Sequence, residues 1–137
     1  MRPALLTAFI IGLGPVMATA ERAGGSGMPA PMPIQADTLD NLRWRARPVV
    51  VLGQGEVVDQ QMAALQAHAA ELADRDVFVL TDGPGAAPLR ARVGDGFVVM
   101  LIGKDGTVKL SERHPVDPTR LMDLIDSMPM RRKEQAS

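Results

Sequence analysis

The chain has no cysteine and no tyrosine, and only one tryptophan and three phenylalanines among its 137 residues. The first absence excludes thiol–disulfide exchange, thiol peroxidase chemistry and internal disulfides for the chain acting alone, because each needs a thiolate. The shortage of aromatics leaves few faces on which bases or sugars could stack. A formal net charge of −1 offers no basic excess to a phosphate backbone, so nucleic acid is not an expected partner. Histidine is scarce too. His68 and His114 stand alone, without the paired spacing of a zinc ligand set, and no metal or cofactor is expected.

What is present begins with Arg2, an apolar run from Ala4 to Leu13 broken only by Thr7 and Gly12, and the small-residue site Ala18-Thr19-Ala20. This reads as a secretory signal peptide over residues 1–20, cleaved after Ala20, with the periplasm or the exterior as destination. A retained membrane anchor is the alternative, but the stretch contains Gly12, Gly14 and Pro15 and barely reaches the roughly 17 residues a spanning helix needs. Once the signal is cut, no membrane span is expected. Removing residues 1–20 from 137 leaves 117, and the loss of Arg2 takes the net charge from −1 to −2. That length suits one domain whose core can form without disulfides.

Residues 21–36, rich in Gly, Pro and Ala without hydrophobic period, read as a flexible leader. Asp37 can cap a single helical turn that faces Leu39 and Leu42 inward. Val49–Gly53 is a continuous apolar run, the pattern of a strand buried on both faces. A helix follows from Asp59 to about Ala73, with Met62, Leu65, Ala69 and Leu72 on one stripe. Val77–Leu80 is a second buried strand, parallel to the first through a right-handed crossover. A short helix near Pro88–Val93 precedes a third strand at Phe97–Gly103. Asp105-Gly106 then turns the chain into an edge strand, Val108–Leu110. Asp117-Pro118 starts the last helix, whose buried face is Leu121, Leu124, Ile125 and Met128, and Pro129 ends it. The domain is thus placed at residues 37–130, with 131–137 a charged C-terminal tail. The element order is that of an α/β thioredoxin-like (peroxiredoxin-like) fold, a mixed four-stranded sheet ordered 2-1-3-4 and flanked by helices.

Three blocks carry a more specific likeness: Leu42–Pro48 (LRWRARP), Leu101–Leu110 (LIGKDGTVKL) and Ile125–Arg132 (IDSMPMRR). They resemble the signature segments of an exported bacterial family with a thioredoxin-like domain of unknown function. That family is related to the domain repeated in extracellular proteins such as Equarin and the sushi-repeat proteins. The resemblance runs over about residues 37–134. It implies the fold and an extracytoplasmic location, and it carries no catalytic residues.

In enzymes of this fold the reactive thiol sits where the first strand meets the first helix, where the helix N-terminus lowers its pKa. Here that stretch is Gly53-Gln54-Gly55-Glu56-Val57-Val58-Asp59-Gln60-Gln61, with nothing able to form a thiolate. Gly96 stands before the third strand, where such enzymes carry a cis-proline. Gly53-x-Gly55 is a partial phosphate-loop pattern, but Val58 replaces the third glycine and Glu56 and Asp59 would repel a phosphate. A tight turn explains the glycines better.

Two segments stand out as candidate contact surfaces. If extended, Arg43, Arg45 and Arg47 share one side with Trp44 opposite, a stripe suited to carboxylate or phosphate. The plain alternative is a solvated edge bridged to Asp37, Asp40 or residues 74–76. Met128, Met130, Arg131 and Arg132 around Pro129 make a compact apolar and basic tip. The other methionines of the domain, Met62, Met100 and Met122, fall with Met128 on apolar faces, leaving Met28, Met32 and Met130 exposed and arguing against a copper site. Ser111 and His114 are close in sequence but lack an oxyanion loop. Lys104-Asp105-Gly106 reads as hairpin chemistry. The function that fits is a non-enzymatic binding or interaction module for an unidentified protein, peptide or envelope component. The alternative is a non-thiol enzyme acting on a small molecule at the N-terminus of the first domain helix, through Glu56, Asp59, Asp82 and Arg90, no two of which form a recognisable pair in the sequence.

Overall fold

The computed structural model describes residues 27–136. The segment read as a signal peptide and the first part of the leader lie outside the described residues. A five-stranded sheet is formed by β1 (Met32–Pro33), β2 (Arg47–Leu52), β3 (Val77–Thr81), β4 (Val98–Ile102) and β5 (Val108–Glu112), in the order β1-β3-β2-β4-β5. β1, β3 and β2 run parallel, while β4 and β5 are antiparallel to their neighbours. Among the described residues six α-helices connect and flank the strands: α1 (Thr38–Leu42), α2 (Glu56–Ala67), α3 (Ala69–Asp74), α4 (Ala87–Val93), α5 (Pro118–Asp126) and α6 (Pro129–Ala136).

The apolar runs explain the layering. β2 and β4 are buried along their whole length. Successive side chains in a strand point to opposite faces. Val49 and Val51 therefore join Leu65, Leu72, Leu121 and Ile125 on one face, while Val50 and Leu52 join Ile34, Leu80 and Leu89 on the other. The four expected strands occur in the expected order, and α5 is capped as read, the Thr119 amide donating to Asp117 Oδ1 at 2.9 Å. Asp37, by contrast, makes no side-chain cap. Next to it Thr38 Oγ1 accepts from the Gln35 amide at 2.8 Å.

Three expectations are corrected. Part of the stretch read as a flexible leader is a fifth strand: Met32 and Pro33 pair with Leu80 and Thr81, and Ile34 is fully buried. The reason lies in both partners. Ile34 supplies an apolar anchor, and Gly85 lets the chain pass closely, since a Cβ there would collide with the Gln35 carbonyl. Met28, expected exposed, is half-buried against the core. At the other terminus α5 stops at Asp126, before Met128, and Pro129 opens a further helix, α6, so residues 131–136 are helical and Arg131 is buried. Proline at the first position of a helix leaves no hydrogen bond unmade there, and Met, Arg, Lys, Glu, Gln and Ala after it all favour helix.

The helix read as Asp59–Ala73 is two helices that meet at His68. Its buried side is set by Gln61, Leu65 and Leu72, with Met62 half-buried beside them.

Candidate functional site

The sheet has two ends, and they are built differently. At the end where β2 runs into α2, Gly53 has φ +117°, and a Cβ on it would lie 3.2 Å from the Phe97 backbone. Its amide donates to Asp82 Oδ2 at 3.0 Å, and Arg90 Nη2 donates to the same oxygen at 3.0 Å. Arg90 Nη1 also donates to the carbonyls of Gly94 and Gly96, at 2.9 and 2.6 Å. One carboxylate and one guanidinium thus tie the β2–α2 turn to the approach to β4. Deeper in, the fully buried Gln61 amide clasps Val116, donating to its carbonyl at 3.0 Å and accepting from its amide at 2.6 Å. Asp82 and Arg90 therefore do form a pair, against the expectation that no two of the four candidate acids and bases would. Their hydrogen-bonding groups are turned on the backbone. Glu56 and Asp59, in the first turn of α2, form no ion pair with Arg90, whose carboxylate partner is Asp82.

The opposite end gathers residues distant in sequence. Arg47, 1% exposed at the start of β2, donates through Nη1 and Nη2 to the Glu134 carboxylate, each at 3.2 Å, and through Nη1 to the Arg75 carbonyl at 2.9 Å. Lys104 Nζ donates to Glu134 Oε2 and to Asp76 Oδ2, both at 2.7 Å. Arg131 donates to Asp74 Oδ2 at 2.7 Å and to its carbonyl at 3.0 Å, and lies 3.6 Å from both Asp126 and Glu134. Arg75 closes the array with a bidentate bond to Asp126, both contacts at 2.9 Å.

The energetics follow from this geometry. Burial alone would raise the Glu134 carboxyl, but hydrogen bonds and charge from Lys104 and Arg47 outweigh it and leave the group below its ordinary 4.5. The Arg75 hydrogen bond, against a smaller opposing effect of burial, lowers Asp126 from its ordinary 3.8. In the hairpin, the Thr107 amide and hydroxyl hold Asp105 at about 2. The Glu134 and Arg131 ion pairs fasten α6 onto the sheet end.

Beside the array lies a cleft of about 310 Å³ lined by Arg47, Gly103, Lys104, Asp105, Lys109, Met128, Pro129 and Met130. Met130 is 37% exposed at its mouth, and the buried Nε of Arg47 has no hydrogen-bond partner. A second cleft of about 250 Å³ includes Arg45, Ala46, Asp76 and Phe78. Between the two, the Trp44 amide donates to the Lys104 carbonyl at 2.7 Å.

The sequence candidates divide accordingly. Met128, Met130 and Arg47 come together at the first cleft. Arg131 is buried in ion pairs, and Arg132 is exposed. The arginine stripe does not form: residues 43–45 are a turn with Trp44 at φ +68°, so Arg43 and Arg45 project at the surface while Arg47 is buried. Neither Arg43 nor Arg45 pairs with a carboxylate of the described residues, and Arg47 pairs with Glu134 rather than with Asp37 or Asp40. Ser111 and His114 are not joined; His114 approaches Glu112 at 3.3 Å, and His68 approaches Glu71 at 2.8 Å. Among the described residues no three His, Asp or Glu side chains converge as metal ligands. Glu134, Asp126 and the structural use of Lys104 were missed, and Asp74, read as a partner of the Arg43–Arg47 segment, pairs instead with Arg131. The available signal was Pro129 followed by helix formers, which announces α6 and with it Glu134.

Residues 86–134, from the end of the β3–α4 connection into α6, match the model of a family described as a domain of unknown function (DUF4174). The match takes in the hairpin and the Met128–Arg132 tip, the C-terminal part of the region over which the sequence resemblance runs. No curated protein matches the chain. Among solved structures it is similar to thioredoxin peroxidase I of Plasmodium yoelii, at TM-score 0.55 and 13% identity over 69% of this chain and 79% of that one. It is likewise similar to a mutant thioredoxin from Halobacterium salinarum NRC-1, at TM-score 0.55 and 17% identity over 73% and 89%. The fold is thioredoxin-like. At such identities the likeness concerns the fold alone.

Proposed function

We propose that this protein is an exported, non-enzymatic binding module that keeps the thioredoxin-like scaffold without thiol chemistry, and that it binds at the end of the sheet opposite the α2 N-terminus. The observation that carries this reading is the cleft beside α6, where exposed apolar side chains stand on a charge-fastened frame. Binding sites of this kind are concave and mainly apolar, with a few placed polar groups. The partner is a protein, peptide or envelope component. Export is supported by Arg2, the apolar run and Ala18-Thr19-Ala20, and kinship with the Equarin and sushi-repeat domain by the three sequence blocks.

A photo-crosslinking residue placed at Met130, and separately at Gln54, tests the assignment in the native cell. A discrete adduct from position 130 that disappears when Met128→Asp is added, with none from position 54, is the expected result. Adducts from position 54 alone would move the binding end to the α2 N-terminus. Fractionation of the same cells tests export: the chain should be soluble outside the cytoplasm and shorter by residues 1–20. The full-length chain in the membrane fraction would make the segment an anchor.

A further inference from the structure

Three features meet on the surface around the hairpin, and together they define the chemistry of an occupant. The first is Trp44, the only tryptophan of the chain, which is 62% exposed. It is one of two non-glycine described residues with positive φ, and the other, Asp76, sits at the same end of the sheet. A bulky residue in the left-handed region is a strained outlier, and such outliers cluster at functional surfaces. The strain is sustained by the bond from its amide to the Lys104 carbonyl.

The second feature is the cleft itself. Lys104 and Asp105 line it from the hairpin, and Met128 and Met130 line it from the α5–α6 junction. Methionine adapts to irregular apolar partners. The third is charge. Arg43, which lies against Gly106 of the hairpin, and Arg45, which lines the neighbouring cleft, both project at the surface without a carboxylate partner among the described residues. Of the anions around the hairpin, Asp105 is engaged by Lys109, and Asp76 and Glu134 by Lys104, while Asp40, whose carbonyl accepts from the Arg43 amide, makes no ion pair with either arginine. Exposed Trp, Met and Arg around an apolar pocket are the residue types that dominate interface energetics.

We infer that this surface binds an acidic segment of a partner protein, seating one large apolar side chain between Met128, Met130 and the hairpin and pairing flanking carboxylates with Arg43 and Arg45. Trp44 covers the segment between them. The inference rests on the proposed binding end and adds to it the class of partner.

Selection of a random peptide library on the purified chain tests the chemistry directly. Enrichment of sequences combining acidic residues with a single Leu, Phe or Met is expected. Enrichment of basic or uncharged sequences, or none at all, would overturn it. An enriched peptide, titrated onto the chain, should shift Trp44 emission to the blue. Its affinity should fall about tenfold or more in the Arg43→Ser, Arg45→Ser double variant and with rising salt. Arg92→Ser, at the end of α4, serves as the control and should change nothing. A larger emission shift on vesicles rich in phosphatidylglycerol than on any peptide would replace the protein partner by a membrane surface. If peptides fail while crosslinking from Met130 succeeds, the partner class is wrong and the binding end stands. If both fail, both are wrong.

Discussion

The two ends of the sheet solve different problems with the same fold. At the α2 end, polar side chains turn inward on the backbone: Asp82, Arg90 and Gln61 satisfy amides and carbonyls of adjoining turns. At the α6 end, charged side chains turn on one another, leaving a cleft and, at the surface, Arg43, Arg45 and Arg132 without a carboxylate partner among the described residues. Thioredoxin-like enzymes place their thiol at the first of these ends. In this chain the turn at that end is tied by structural bonds, while the cleft beside Met128 and Met130 and the strained backbone of Trp44 lie at the second. A thioredoxin-like scaffold without the thiol thus need not leave a vacant site at that turn. The turn can be tied shut and the opposite end elaborated.

The largest expected effect comes from opening the α6 end. Glu134→Ala leaves Arg47 buried with its main anion gone and should cost about 3 kcal/mol, at the low end for an orphaned buried charge. Denaturant unfolding measures it, and a loss comparable to that of an exposed ion pair would show that α6 is not fastened through Glu134. At the α2 end, Gln61→Leu strips both bonds from Val116 and should cost about 2 kcal/mol, since a buried orphaned amide and carbonyl carry most of that penalty. Asp82→Ala should cost about 1 kcal/mol, as its half-exposed partners recover water. If Asp82→Ala proved costlier than Glu134→Ala, the order of the two ends would be reversed.

Acid should separate the ends further. Glu134 and Asp126 both have folded pKa values below their ordinary 4.5 and 3.8, so they bind protons more readily when unfolded. Their contribution is complete above the unfolded values, at neutral pH, and is lost as pH falls past them and through the lowered folded values. The protection of α6 amides, taken relative to their intrinsic exchange rate at each pH, should therefore fall below about pH 4.5 before that of α2 does. Equal loss of protection in both helices would show that the charges do not localise stability. The smallest effect is expected at the surface: Trp44→Gly should change stability by less than about 1 kcal/mol, because relief of the left-handed strain offsets the lost contacts. A large loss would make Trp44 a packing residue.

Much of the scaffold was legible along the chain. Unbroken apolar runs at residues 49–52 and 98–102 mark strands covered on both faces, and Asp105-Gly106 and Asp117-Pro118 mark a turn and a helix start through their own backbone preferences. The missed elements are short, β1 a Met-Pro pair in a proline-rich stretch and α6 a mostly charged helix, and each is stabilised by what it meets. Ile34 becomes an anchor only against β3 and α4, and Glu134 acquires its role only beside Arg47 and Lys104.

By itself the sequence excluded sulfur chemistry, announced the layered α/β order and marked Arg47, Met128 and Met130 as residues of interest, because composition and periodicity act locally. Only the tertiary structure decided which of three neighbouring arginines would be buried, which end of the sheet would close and where a cleft would open. Those outcomes depend on contacts between residues such as Arg47 and Glu134, 87 positions apart, whose charges interact only once the sheet and α6 have met.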